Sequence, residues 1–171
     1  MHIIFGGGKV GMMGILADAA LEAGGKVTGV IPGFLHIKEV AHGGLSELIT
    51  VDTMHQRKSL IEQMCDAAIA LPGGFGTLDE LFEMLTWGQL GLHDKPVGIL
   101  NTKGFFDHVL AAMDRMVQEG FLKDVNRDMV LVSEQVEELL ERMRTYTPPE
   151  VRKWIMDGDP GNGIPFKGAQ P

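Results

Sequence analysis

At 171 residues with 44% hydrophobic content, the chain is long enough to bury a core and short enough for one domain. A formal net charge of -8 excludes the broad basic face that binds nucleic-acid polymers, so any nucleotide partner is a small molecule. A single cysteine, Cys65, excludes an internal disulfide framework, and no apolar run approaches the roughly 20 residues that cross a bilayer. The opening Met1-His2-Ile3-Ile4-Phe5 lacks the basic start of a signal peptide, so a cytoplasmic protein without a membrane partner is expected.

Short apolar runs alternate with longer helical patterns, which predicts an α/β, Rossmann-like parallel sheet with helices on both faces. The first run, His2 to Phe5, leads into the turn Gly6-Gly7-Gly8-Lys9-Val10-Gly11 and a helix over Gly11 to Ala23. Lys26 to Ile31 is the second strand, and Pro32 to Val51 reads as a loop with a short helix bordering the pocket. A helix over Thr53 to Cys65, a strand over Ala67 to Leu71 and a helix over Thr77 to Leu90 follow. The strand Pro96 to Leu100, the helix Phe105 to Glu119, the strand Met129 to Val132 and the helix Glu134 to Thr145 complete the pattern. Residues 1–146 form the expected nucleotide-binding domain, and 147–171 a short helix at Pro148 to Met156 with a Pro/Gly-rich tail.

Ligands of such sheets bind at the carboxyl ends of the strands, where both glycine turns fall. The first turn matches G-x-G-x-x-G, but Val30-Ile31-Pro32-Gly33 stands where a dinucleotide site needs its ribose-binding acid, which disfavours NAD. It is no Walker A loop either, since valine follows Lys9. The second turn, Pro72-Gly73-Gly74-Phe75-Gly76-Thr77-Leu78-Asp79-Glu80, reads as an anion cradle, with glycines that let backbone N–H groups converge and a helix start behind them. Glu80 there is either a reacting carboxylate or the return arm of a capping box begun by Thr77.

On the helix after Thr53, spaced at about 100° per residue, Arg57 and Lys58 fall within the apolar stripe of Met54, Ile61, Met64 and Cys65. Basic groups on an inward face need an anionic partner, either a phosphate or a carboxylate. The six histidines are scattered without ligand spacing, so no metal is expected, and no cofactor is called for. Trp87, Leu90 and Leu92 suit a subunit contact.

Met54-His55-Gln56-Arg57-Lys58 and Pro72 to Glu80 together resemble the MHxRK and PGGxGTxxE motif pair of the Lonely Guy (LOG) family, and the resemblance runs from His2 to about Trp154. It implies a homodimeric, Rossmann-like cytokinin-activating phosphoribohydrolase that cuts the N-glycosidic bond of a nucleoside 5′-monophosphate to free base and ribose 5-phosphate. By resemblance, Arg57 and Glu80 are the catalytic pair, and Lys58 with Gly74, Phe75, Gly76, Thr77, Leu78 and Asp79 binds the phosphoribosyl group. Glu39 and Thr86 align with further ligand contacts, and Gly7 and Gly8 belong to the first glycine turn of the site. Lysine decarboxylation, an older label for the family, would need a pyridoxal phosphate lysine that no motif marks. Members of the family carry a further strand and helix ahead of the position of His2, so a sheet lacking that first unit, with two added open edges, is expected. The rival reading is a noncatalytic carrier of a nucleotide or molybdenum cofactor on the same fold.

Overall fold

The computed structural model describes residues 1–36 and 41–149. The expected ligand contact Glu39, most of the Pro148 to Met156 helix and the tail lie outside the described residues. The chain divides into two compact units, Met1–Cys65 and Asp66–Pro171.

In the first unit three parallel strands, β1 (His2–Phe5), β2 (Lys26–Pro32) and β3 (Glu47–Val51), lie in the order β1-β2-β3. Central β2 is buried at every position after Lys26, as its run of Val27, Val30 and Ile31 requires of a parallel strand covered on both faces. The register pairs Ile4 with Thr28 and Ile31 with Thr50. Helix α1 (Met12–Glu22) connects β1 to β2 and buries Gly14 and Ala17. A short α2 (Gly33–His36) follows β2, and α3 (Met54–Met64) follows β3.

The second unit repeats the scheme with β4 (Ala68–Ala70), β5 (Val97–Leu100) and β6 (Val130–Ser133), again parallel and with the second strand central. Helix α4 (Phe75–Gln89) joins β4 to β5, and α5 (Asp107–Gln118) with α6 (Asp124–Arg127) joins β5 to β6. Helix α7 (Val136–Arg144) closes the described fold. Its Leu139 and Met143 pack on Leu131, while acids in its first turn and arginines in its last complement the helix dipole.

The α/β architecture and the five predicted strands are present within a residue or so at each end. The stretch Pro32 to Val51, expected to be a loop with a short helix, also contains β3. That strand escapes a search for apolar runs because Glu47 and Thr50 interrupt it, as fits a strand whose positions are all exposed or only partly buried. The six strands form two three-stranded sheets, and among the described residues β1 and β4 each have one paired neighbour.

Candidate functional site

In the first unit the candidate residues lie at the carboxyl end of β1 and on the helix after β3. Gly6, Gly7 and Gly8 are all buried, and Gly7 takes the left-handed conformation (φ 76°) that turns the chain from strand to helix. Position 6 has a stricter demand. A Cβ built on Gly6 would coincide with Nη2 of Arg57 and stand 2.8 Å from its Cζ, so the Nη2 end of the guanidinium sits against Gly6 in space that any side chain would fill.

Helix α3 delivers that guanidinium. Thr53 caps it with a complete capping box: its Oγ1 accepts from the Gln56 N–H at 3.1 Å, and Gln56 Oε1 accepts from the Thr53 N–H at 3.2 Å. Gln56 Oε1 also accepts from the Asp52 N–H at 2.8 Å, which fixes the path from β3 into the helix. Arg57 follows in the first turn, its N–H bonded to Thr53 O at 3.1 Å, and its side chain points inward with Nη1 3.8 Å from Met54 Sδ. Only 9% of Arg57 is exposed. The inward orientation read from the helical stripe is therefore correct for Arg57, while Lys58 is half-buried. At 9% exposure Arg57 is not a stem that snorkels to water, and a guanidinium buried to that extent is costly unless it meets an anion.

In the second unit the cradle lies at the carboxyl end of β4. Gly74, in an extended conformation, is the N-cap of α4, and Leu78 N–H makes the first helical bond to Gly74 O at 3.2 Å. The helix thus starts at Phe75, two residues earlier than predicted, and Thr77 lies inside its first turn. Of the two readings of Thr77-x-x-Glu80, the capping box does not form, because Gly74 already supplies the cap conformation. With no side-chain cap, the amides of Phe75, Gly76 and Thr77 open the helix without intrahelical acceptors and with the positive end of the dipole behind them.

Gly73 is needed for this arrangement, since a Cβ there would run into Thr77 Oγ1 and lie 3.0 Å from Thr77 Cβ. A Cβ at Gly74 or Gly76 would meet nothing within 4 Å among the described residues. The two classes of glycine predict different outcomes. Gly73→Ala should cost about 1–3 kcal/mol of stability by overpacking. Gly76→Ala should leave the melting temperature unchanged or higher, yet raise the KM for a phosphate-bearing ligand that sits on the amides. Thermal melts beside KM measurements check both, and an unchanged KM in Gly76→Ala would remove the ligand from that turn.

Glu80 lies on α4 one turn beyond the cradle and is half-buried. Asp79 and Phe75 are exposed, Phe75 to 92%. Thr86 is exposed and bonds its hydroxyl to Phe82 O at 2.7 Å, so its free-state partner is its own helix. Phe75, Leu78, Asp79, Phe82, Glu83, Thr86 and Trp87 line one shallow groove along α4. Beside the cradle, β5 pairs Ile99 with Ala70 and leaves through a turn braced by buried Asn101, which accepts from Phe106 N–H and donates to Asp107 Oδ1, both at 2.8 Å. Among the described residues no three His, Cys, Asp or Glu side chains gather to hold a metal, and no helix is long and apolar enough to cross a membrane.

Comparison with known proteins gives the chain a family context. The family model described as possible lysine decarboxylase matches residues 13–143. The chain is 44% identical over 160 residues, covering 92% of this chain and 75% of the relative, to a cytokinin riboside 5'-monophosphate phosphoribohydrolase of Arabidopsis thaliana. The chain belongs to the LOG family. A second Arabidopsis thaliana LOG protein of that name is 42% identical over 148 residues, covering 86% of this chain and 65% of the relative. A probable cytokinin riboside 5'-monophosphate phosphoribohydrolase of Oryza sativa subsp. japonica is 45% identical over 147 residues, 86% of this chain and 66% of its own. The chain thus spans about two thirds to three quarters of the length of these LOG relatives.

Two features of this LOG chain escape sequence reading. Gly6 was legible as part of a glycine turn, but not as the seat of the Arg57 guanidinium. His42, 5% exposed and bonded into the same turn, carries no motif at all.

Proposed function

We propose that this chain hydrolyses the N-glycosidic bond of a purine nucleoside 5′-monophosphate, either a cytokinin riboside monophosphate or AMP, to free base and ribose 5-phosphate. The observation that carries the reading is the cap of α4. Gly74 begins the helix with open amides suited to a phosphate, and Glu80 follows one turn later on the same rigid helix. The names of the LOG relatives support the same reaction.

Departure of the base builds positive charge on the ribose, and the Glu80 carboxylate stabilises that charge while taking a proton from the attacking water. The water oxygen forms the new bond to C1′, the bond from C1′ to the base nitrogen breaks, and the proton that Glu80 took from the water is passed through solvent to the departing base. Arg57 is permanently charged, so it serves as a clamp on phosphate or ribose hydroxyls and not as a base. Lys58 adds a second cation, and Gly74 to Asp79 hold the phosphoribosyl group. Gly7, Gly8, Glu39 and Thr86 complete the proposed contacts.

The enzyme works as a cytoplasmic homodimer. Phe75, Phe82 and Leu90 on or beside α4, with Leu92 just beyond, form an exposed apolar strip that supports subunit contact. The test is a substrate comparison. AMP and N6-isopentenyl AMP should both release base, and adenosine should fall by at least about 100-fold in kcat/KM for want of the phosphate. Equal turnover of adenosine would contradict the role given to the cradle.

A further inference from the structure

We propose that His42 is a positioning residue for the reaction: it clamps the Gly6-Gly7-Gly8 turn and so sets where the Arg57 guanidinium lies. The proposal rests on the proposed function for its kinetic consequence and on the first unit alone for its geometry.

The backbone N–H of His42 donates to Gly7 O at 3.1 Å, and next to it Ala41 forms an antiparallel bridge with Gly8. These bonds hold the far side of the turn whose near side, at Gly6, is the surface under Arg57. The imidazole in turn fixes its own backbone. Nδ1 accepts from the Gly44 N–H at 3.2 Å, which assigns the proton to Nε2, and Nε2 donates to Asp18 Oδ1 on α1 at 2.8 Å. In that tautomer the contact with Asp18 is a hydrogen bond to a carboxylate and not an ion pair.

A continuous chain of contacts therefore runs from Asp18 on α1 through the His42 ring and backbone to Gly7, and from the turn to Arg57. Glycine turns have little intrinsic stiffness, and this one has no side chains with which to brace itself. Its geometry is supplied from outside, and His42 makes one bond to the turn directly and two more that hold its own backbone in place. A shift of the turn by a fraction of an ångström toward α3 closes the space that admits the guanidinium, and a shift away withdraws one wall of its seat.

The test uses the full chain with three substitutions. His42→Ala loses both ring bonds. His42→Asn keeps an acceptor near the Nδ1 position for Gly44, and His42→Gln keeps a donor near the Nε2 position for Asp18. At a temperature where the variants are folded, His42→Ala should lose about 10- to 100-fold in kcat/KM with a raised KM, as expected of a displaced binding group. His42→Asn should recover most of that loss and His42→Gln little, because the Gly44 bond shapes the backbone that holds Gly7.

A merely structural role would lower the folded fraction and leave the KM of the remaining enzyme unchanged. The Nε–H signal of Arg57 in a nitrogen–proton spectrum, assigned by its loss in Arg57→Lys, gives a readout free of catalysis. It should move in His42→Ala by more than its linewidth. A parental KM with an unmoved Arg57 signal would overturn the proposal. Should the parent release no base from any nucleotide, the reaction is at fault, and the Arg57 signal alone then decides the role of His42.

Discussion

Glu80→Gln should lower the rate of base release by about 100- to 10,000-fold while leaving the melting temperature within a few degrees of the parent. Glutamine keeps the size and polarity of the side chain but cannot take a proton or stabilise a developing cation with a full charge. Had Glu80 been the return arm of a capping box, its loss would loosen the start of α4 and confuse catalysis with folding. Gly74 caps the helix instead, and Glu80 lies a turn further in. A variant that melts like the parent and turns over like the parent would remove Glu80 from the chemistry.

Gly6→Ala should lose at least about 100-fold in kcat/KM, through one methyl group far smaller than any catalytic group. That methyl would occupy the place of Arg57 Nη2, with the Cζ only 2.8 Å away, so the guanidinium must leave its seat or the turn must move. The accompanying loss of stability should be about 1–3 kcal/mol, the range for overpacking a tight site. Because both changes act through one guanidinium, Gly6→Ala with Arg57→Ala should be little worse than Arg57→Ala alone. Kinetics of the single and double variants check this. Additive losses would mean that Gly6 matters for some reason other than the seat of Arg57.

The parallel α/β plan was legible because its interior strands are apolar runs closed by glycine turns. Val27, Val30 and Ile31 announce β2, and Val97 with Ile99 announces β5. Edge strand β3 was not, since Glu47 and Thr50 hide it within a polar stretch. The start of α4 was misplaced because Thr77-x-x-Glu80 imitates a capping box, whereas a glycine cap leaves no side-chain signature. Arg57 was placed on the inward face by helical periodicity alone, and its burial agrees. What periodicity cannot give is the surface that it meets. Gly6 and His42 reach that surface through turns, where spacing in sequence says nothing about which backbone groups touch.

The pairing of a glycine cradle with a carboxylate on the same helix also weighs between enzyme and carrier. A carrier needs the cradle alone, whereas the enzyme reading also gives a role to the half-buried glutamate one turn behind it. The phosphoribohydrolase names of the relatives point the same way.

Incubation of the purified chain with AMP, followed by chromatographic separation of the products, tests the central claim most directly. Adenine and ribose 5-phosphate should appear in equal amounts from the parent and be absent with Glu80→Gln. Adenosine with inorganic phosphate, or AMP and N6-isopentenyl AMP both left intact by folded protein, would contradict it.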